Sequence, residues 1–227
     1  MRNLTFAVLC LTAACGGDDG VDSNESARRA YLGLDKSIEK SIKLGFDGFN
    51  SASSANISPQ MTTGAAGGTI TVTGQVDQGS SANKGMRLNV GMVNYDDGDV
   101  PINDSGDTVH IVYDTATDTA MQPYLALQLK NFPNGTLDGT LDSNSTMTGV
   151  YLLDGDIKGE LTLTLTIAGT TMAGAMAGDV VRVPGTTTIT GTATNKDGGS
   201  YMINITLRTL SLSCMALSKA AHRSVKA

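Results

Sequence analysis

The residues best suited by type and spacing to do chemistry are five carboxylates, Asp96, Asp97, Asp99, Asp104 and Asp107, with Asn103 and Ser105 between them. Calcium takes about six to eight oxygen ligands, and a glycine-bearing loop with clustered carboxylates can supply them. This spacing follows neither the EF-hand loop nor the Gly-Gly-x-Gly-x-Asp repeat, so a solvated, turn-rich loop is the simpler expectation and calcium the alternative. Histidine is scarce. His110 alternates with Val109 and Ile111, which puts it on one sheet face with Thr108 and Val112, and His222 lies near the C-terminus. No Ser or Cys is paired with His110 by spacing, so it reads as an ordinary strand residue rather than a general base. The nucleophile elbow, the phosphate loop, the dinucleotide fingerprint, His-Glu-x-x-His and Cys-x-x-Cys do not occur. A paired-carboxylate site would have no Trp and few Tyr on which to stack a sugar ring. The chain is expected to bind rather than catalyse, without a cofactor.

The elements that must position these residues are mostly strands. Aromatics make up 4% of the 227 residues, while Thr, Gly, Ser and Asp are abundant, which is a composition of short strands and tight turns. Period-two alternation marks strands at Thr69 to Asp77, Gly85 to Tyr95, Asp107 to Asp114, Met121 to Phe132 and Thr136 to Asp142. It continues at Thr146 to Leu153, Ile157 to Ile167, Thr171 to Ala177, Thr186 to Thr194 and Ser200 to Leu210. Asp97-Gly98, Asn134-Gly135, Asp154-Gly155, Ala168-Gly169 and Lys196-Asp197-Gly198-Gly199 supply hairpin turns, which make neighbouring strands antiparallel. The clearest strand points Leu161, Leu163, Leu165 and Ile167 one way and Glu160, Thr162, Thr164 and Thr166 the other. One side of the sheet therefore faces a core and the other faces water. Thr-apolar-Thr-Gly recurs at Thr71 to Gly74, Thr146 to Gly149 and Thr188 to Gly191, at spacings too uneven for a repeat protein. These glycines are expected at bends.

Before the strands comes one helix, expected over residues 22–49. Asp22 and Glu25 have capping-box spacing, and Ala27, Tyr31, Leu34, Ile38, Ile42, Phe46 and Phe49 recur every three or four residues. The polar remainder offers Glu25 to Arg29 and Glu39 to Lys43 as i,i+4 pairs, and Gly45 and Gly48 are expected to loosen the last turns. The apolar stripe should cover the sheet; the alternative is a helix lying on a membrane surface. Residues 50–68 read as a linker, 69–210 as one antiparallel β domain and 211–227 as a basic tail. The predicted class is mainly β, an antiparallel meander forming a curved sheet or barrel with the N-terminal amphipathic helix packed on it. A membrane-spanning barrel fits the strand lengths but lacks aromatic girdles.

At the N-terminus, Arg2 precedes an apolar run from Leu4 to Leu11, too short to span a bilayer, and the run ends in Leu11-Thr12-Ala13-Ala14-Cys15. This junction resembles the lipobox of bacterial lipoproteins, with Thr12 where Leu is usual. The resemblance implies removal of residues 1–14, a lipid on Cys15, a flexible tether over residues 15–21 and a place in the bacterial cell envelope, at the outer membrane. The alternative is an ordinary secretory signal cut after Ala13 or Ala14. With Cys10 removed and Cys15 acylated, Cys214 is the one free thiol. Removal of Arg2 leaves 15 basic against 22 acidic residues, a formal charge of −7, which disfavours nucleic acid as a partner.

Two functions follow as expectations. In one, the β domain holds an apolar ligand, with Met86, Met92, Met147, Met172, Met176 and Met202 suiting an adaptable cavity. In the other it is a structural or protein-interaction module of the envelope. An enzyme with an unrecognised carboxylate site is the weaker third.

Overall fold

The computed structural model describes residues 20–77, 81–131, 139–142, 144–173 and 181–207. The helix, α1, runs Asn24–Ser51, which at about 1.5 Å per residue gives a rod of roughly 42 Å. Its capping box is Ser23 with Ser26, each side chain accepting from the other's backbone N–H. The expected Asp22 and Glu25 do other work: Asp22 accepts from the Ser26 hydroxyl at 3.1 Å, and Glu25 pairs with Arg28 at 3.1 Å. The helix does not loosen at Gly45 or Gly48. A Cβ at 45 would strike the ends of Met86 and Leu88, and one at 48 would meet Ile57, so these glycines let the sheet approach the helix closely.

Fourteen strands follow: β1 (Asn56–Thr63), β2 (Gly67–Val76), β3 (Lys84–Asp96), β4 (Val100–Pro101), β5 (Thr108–Val109), β6 (Ile111–Asp114) and β7 (Tyr124–Lys130). The rest are β8 (Gly139–Leu141), β9 (Ser145–Gly155), β10 (Gly159–Ala168), β11 (Thr171–Ala173), β12 (Val181–Arg182), β13 (Thr188–Asn195) and β14 (Ser200–Thr206). Twelve form one antiparallel sheet, and β4 pairs with β5 as a separate hairpin. The fold is therefore mainly β with one helix packed on it, as the alternation implies. β1, β2 and β3 are successive neighbours, after which the order departs from a simple meander. β7 pairs with the start of β3 and β6 with its end, and both lead to β9, then β10, β13 and β14. A side branch runs from β7 through β8 and β11 to β12.

Three boundaries differ from the sequence reading. β1 lies inside the expected linker, an edge strand carrying Pro59, whose missing N–H costs nothing on an unpaired side. The expected strand Asp107 to Asp114 breaks into β5 and β6 around His110. The tether ends sooner than expected: Val21 is buried, its carbonyl accepting from Asn195 Nδ2 at 2.9 Å. The Asn134-Gly135 turn, Met176 and the tail 211–227 lie outside the described residues.

Three end strands, β1, β12 and β14, each pair on one side only, and all three pack on α1. The sheet is thus folded over the helix. Between Ala27 and Phe49, Lys36 alone is exposed. Buried Ser37 and Ser41 satisfy their hydroxyls within the helix, on the carbonyls of Leu34 and Ser37 at 2.7 Å each. Tyr113 donates to the Ala30 carbonyl at 2.7 Å and meets Tyr151 edge-on, ring centroids 6.4 Å apart. Burial raises the pKa of both phenols, keeping them neutral donors. The inward Leu125, Leu127, Leu129, Leu161, Leu163, Leu165 and Ile167 join the helix stripe in one core. Each such side chain contributes about 1.5–3 kcal/mol on burial.

Candidate functional site

The five carboxylates of the expected metal loop do not converge: Asp96 ends β3, Asp97 and Asp99 lie between β3 and β4, and Asp104 and Asp107 lie between β4 and β5. Asp97 turns inward, its side chain 2% exposed, and binds Lys40 Nζ at 2.7 Å, the Tyr95 hydroxyl at 2.6 Å and the Ala65 N–H at 2.9 Å. Lys40 also donates to Tyr95 Oη at 2.8 Å and to the Thr63 carbonyl at 3.2 Å. Burial alone would raise the Asp97 pKa. Its hydrogen bonds from Lys40, Tyr95 and Ala65 outweigh that and hold it below the usual carboxylate range. Asp96 accepts from Gly98 N at 2.7 Å and lies 3.1 Å from His110 Nε2, while Asp99 lies 3.5 Å from His110 Nδ1. Asp107 accepts from Asn103 Nδ2 at 2.7 Å, and Asp104 lines a groove elsewhere. Among the described residues no three His, Cys, Asp or Glu side chains are placed to share a metal ion.

His110 is therefore a clasp between two carboxylates at the base of the hairpin. The hydrogen bond to Asp96 is the main cause of its raised pKa, partly offset by desolvation and reinforced by the charges of Asp96, Asp99 and Asp156. Its backbone N–H donates to Asp156 Oδ2 at 3.0 Å.

The groove runs along the first half of α1, with a volume of about 610 Å³. Leu32, Val100, Ile102, Val183, Ile205 and Leu207 give it apolar walls. Its polar centre is Arg182, which grips both Asp35 oxygens, at 3.0 and 2.7 Å, and approaches Glu39 Oε2 at 3.6 Å. Burial would lower the Arg182 pKa, but Asp35, aided by Tyr31 and Glu39, outweighs it and raises the value. Arg28 fixes the opposite wall by donating to the Ile102 carbonyl at 2.9 Å. Nothing in the helical pattern or the strand alternation singles out Asp35 or Arg182, and Glu39 reads there as the partner of Lys43 on a polar face. One signal was available: Arg182 is one of only two arginines between residues 69 and 207. The expected pair Glu39 with Lys43 is replaced accordingly, Lys43 binding Asp47 at 3.0 Å.

On the outer face the threonines of three neighbouring strands are in register. Thr164 of β10 lies opposite Thr148 of β9 and Thr192 of β13, and Thr166 lies opposite Thr146 and Thr190. Among the described residues the methionines do not gather around a chamber. Met86, Met92, Met147 and Met172 are core residues and Met202 is 65% exposed. Of the glycines expected at bends, Gly74 and Gly191 take positive φ where the partner carbonyls of Arg87 and Thr164 leave no room for a Cβ, whereas Gly149 accommodates Pro123. Cys10, Cys15, Cys214 and His222 lie outside the described residues. No family model, no curated protein and no solved structure matches the chain.

Proposed function

We propose that the chain is a lipid-anchored protein of the bacterial cell envelope, held at the outer membrane through Cys15, whose β domain is a non-catalytic interaction module. The observation that carries this reading is the filled interior. A carrier of the lipocalin type needs an unfilled centre, whereas here α1 packs against the sheet and the inward leucines of β7 and β10 are 2% exposed or less. Binding is then left to the outside, where the in-register threonines and the β4–β5 hairpin present uncharged and acidic surfaces respectively. A second reading, an apolar ligand held in the groove beside Arg182, is favoured by the walls of that groove.

Cys15→Ser is expected to move the protein from the membrane to the soluble fraction, because one acylated side chain carries the attachment; persistence in the membrane would assign attachment to another element. Mass spectrometry of lipids extracted with the native protein separates the two binding readings. A stoichiometric apolar molecule beyond the Cys15 acyl chains favours the groove, and its absence the interaction module.

A further inference from the structure

We infer that the domain stands end-on to the membrane, with the β9–β10 and β13–β14 turns against the lipid headgroups and the C-terminal end of α1 pointing away. This rests on the lipid anchor at Cys15 proposed above and adds to it the surface that meets the bilayer. Four residues separate Cys15 from Gly20, so five backbone steps reach at most about 18 Å even when fully extended. The chain is already part of the folded domain where the tether ends. Gly20 lies against the Lys158 carbonyl, Val21 is buried and bonded to Asn195, and Asn24 Oδ1 accepts from Met202 N at 2.8 Å. The anchor therefore leaves from one pole of the molecule, where the turns at residues 155–158 and 195–199 meet the start of α1. From that pole α1 runs roughly 42 Å to Ser51, a few residues before Ala55, whose carbonyl accepts from Val76 N at the end of β2.

The near pole presents six exposed carboxylates, among them Asp22, Asp154 and Asp156, against Lys158 and Lys196, so the short tether and not charge attraction holds this polar end at the headgroup layer. A mature charge of −7 opposes broad sideways contact with an anionic leaflet. The groove, beginning at Arg28 only four residues into α1, lies on the membrane-proximal half, and the basic and acidic groups of Lys84, Arg87 and Asp77 lie on the distal half.

The test uses full-length lipidated protein with Cys214→Ser, reconstituted in vesicles of phosphatidylethanolamine and phosphatidylglycerol containing a headgroup nitroxide lipid. A fluorophore is placed on Asp197→Cys at the near pole or on Ser53→Cys at the far one. Quenching at residue 197 is expected to exceed that at residue 53 at least twofold, and a ten-residue Gly-Ser insertion after Gly17 should reduce the difference. Equal quenching at both positions, or stronger quenching at 53, with the protein bound, would overturn the end-on posture. Failure of the lipidated protein to associate with vesicles at all would overturn the anchor itself.

Discussion

Ile38→Asp is expected to cost on the order of 3–5 kcal/mol of unfolding free energy, a large share of the roughly 5–15 kcal/mol that holds a domain folded. Ile38 is 3% exposed and sits midway along α1, where the sheet folds over the helix. A carboxylate there has no water to solvate it, and it must either stay charged in an apolar site or bind a proton, each at a cost of several kcal/mol. Urea unfolding followed by circular dichroism measures the loss. Lys36→Gln is the control, since Lys36 is the one exposed residue between Ala27 and Phe49 and its replacement should change stability by less than about 0.5 kcal/mol. An equally small change for Ile38→Asp would show that the stripe is not core.

That contrast also marks how far the sequence could be read. The stripe Ala27, Tyr31, Leu34, Ile38, Ile42, Phe46 and Phe49 was legible because a period near 3.6 puts residues on one side of a helix; the first six are buried and Phe49 is half-buried against the core. Periodicity does not say how wide an arc the partner covers. Here the sheet reaches the helix from both ends of its strand order, so Asp35, Glu39 and Lys40 sit in seams between helix and sheet instead of in water. The alternation of β10 was equally plain, since a period of two fixes the face of each side chain. Segments with little to bury gave no such signal, and β1, an edge strand with Met61 65% exposed, could not be told from a linker. The acidic run from Asp96 to Asp107 was legible as composition only. Which carboxylate turns inward depends on the long-range partner, Lys40, 57 residues earlier than Asp97.

The second large effect is expected at that partner. Lys40→Met removes the cation from a carboxylate whose side chain is 2% exposed, leaving Asp97 with Tyr95 and the Ala65 N–H alone. Breaking a buried pair from one side costs about 3–5 kcal/mol, and the lower end applies because Lys40 keeps 30% exposure. Adding Asp97→Asn should recover much of the loss, since the amide oxygen can still accept from Ala65 while the buried charge is gone. The pH dependence separates this account from simple loss of packing. In the parent protein Asp97 titrates below its unfolded value, so its contribution is fully present above an unfolded pKa of about 3.9 and is lost as pH falls through the lower folded value. Without Lys40, burial is opposed only by the hydrogen bonds from Tyr95 and Ala65, and the carboxyl is expected to rise above its unfolded value. The folded state then binds the extra proton, and the variant's deficit should shrink as pH falls from 7 towards 4.5. Urea midpoints of parent, single and double variants at both pH values measure this. A deficit that stays constant with pH, or a double variant no more stable than Lys40→Met, would mean that Lys40 contributes packing to the seam and that the Asp97 charge is held by its other partners.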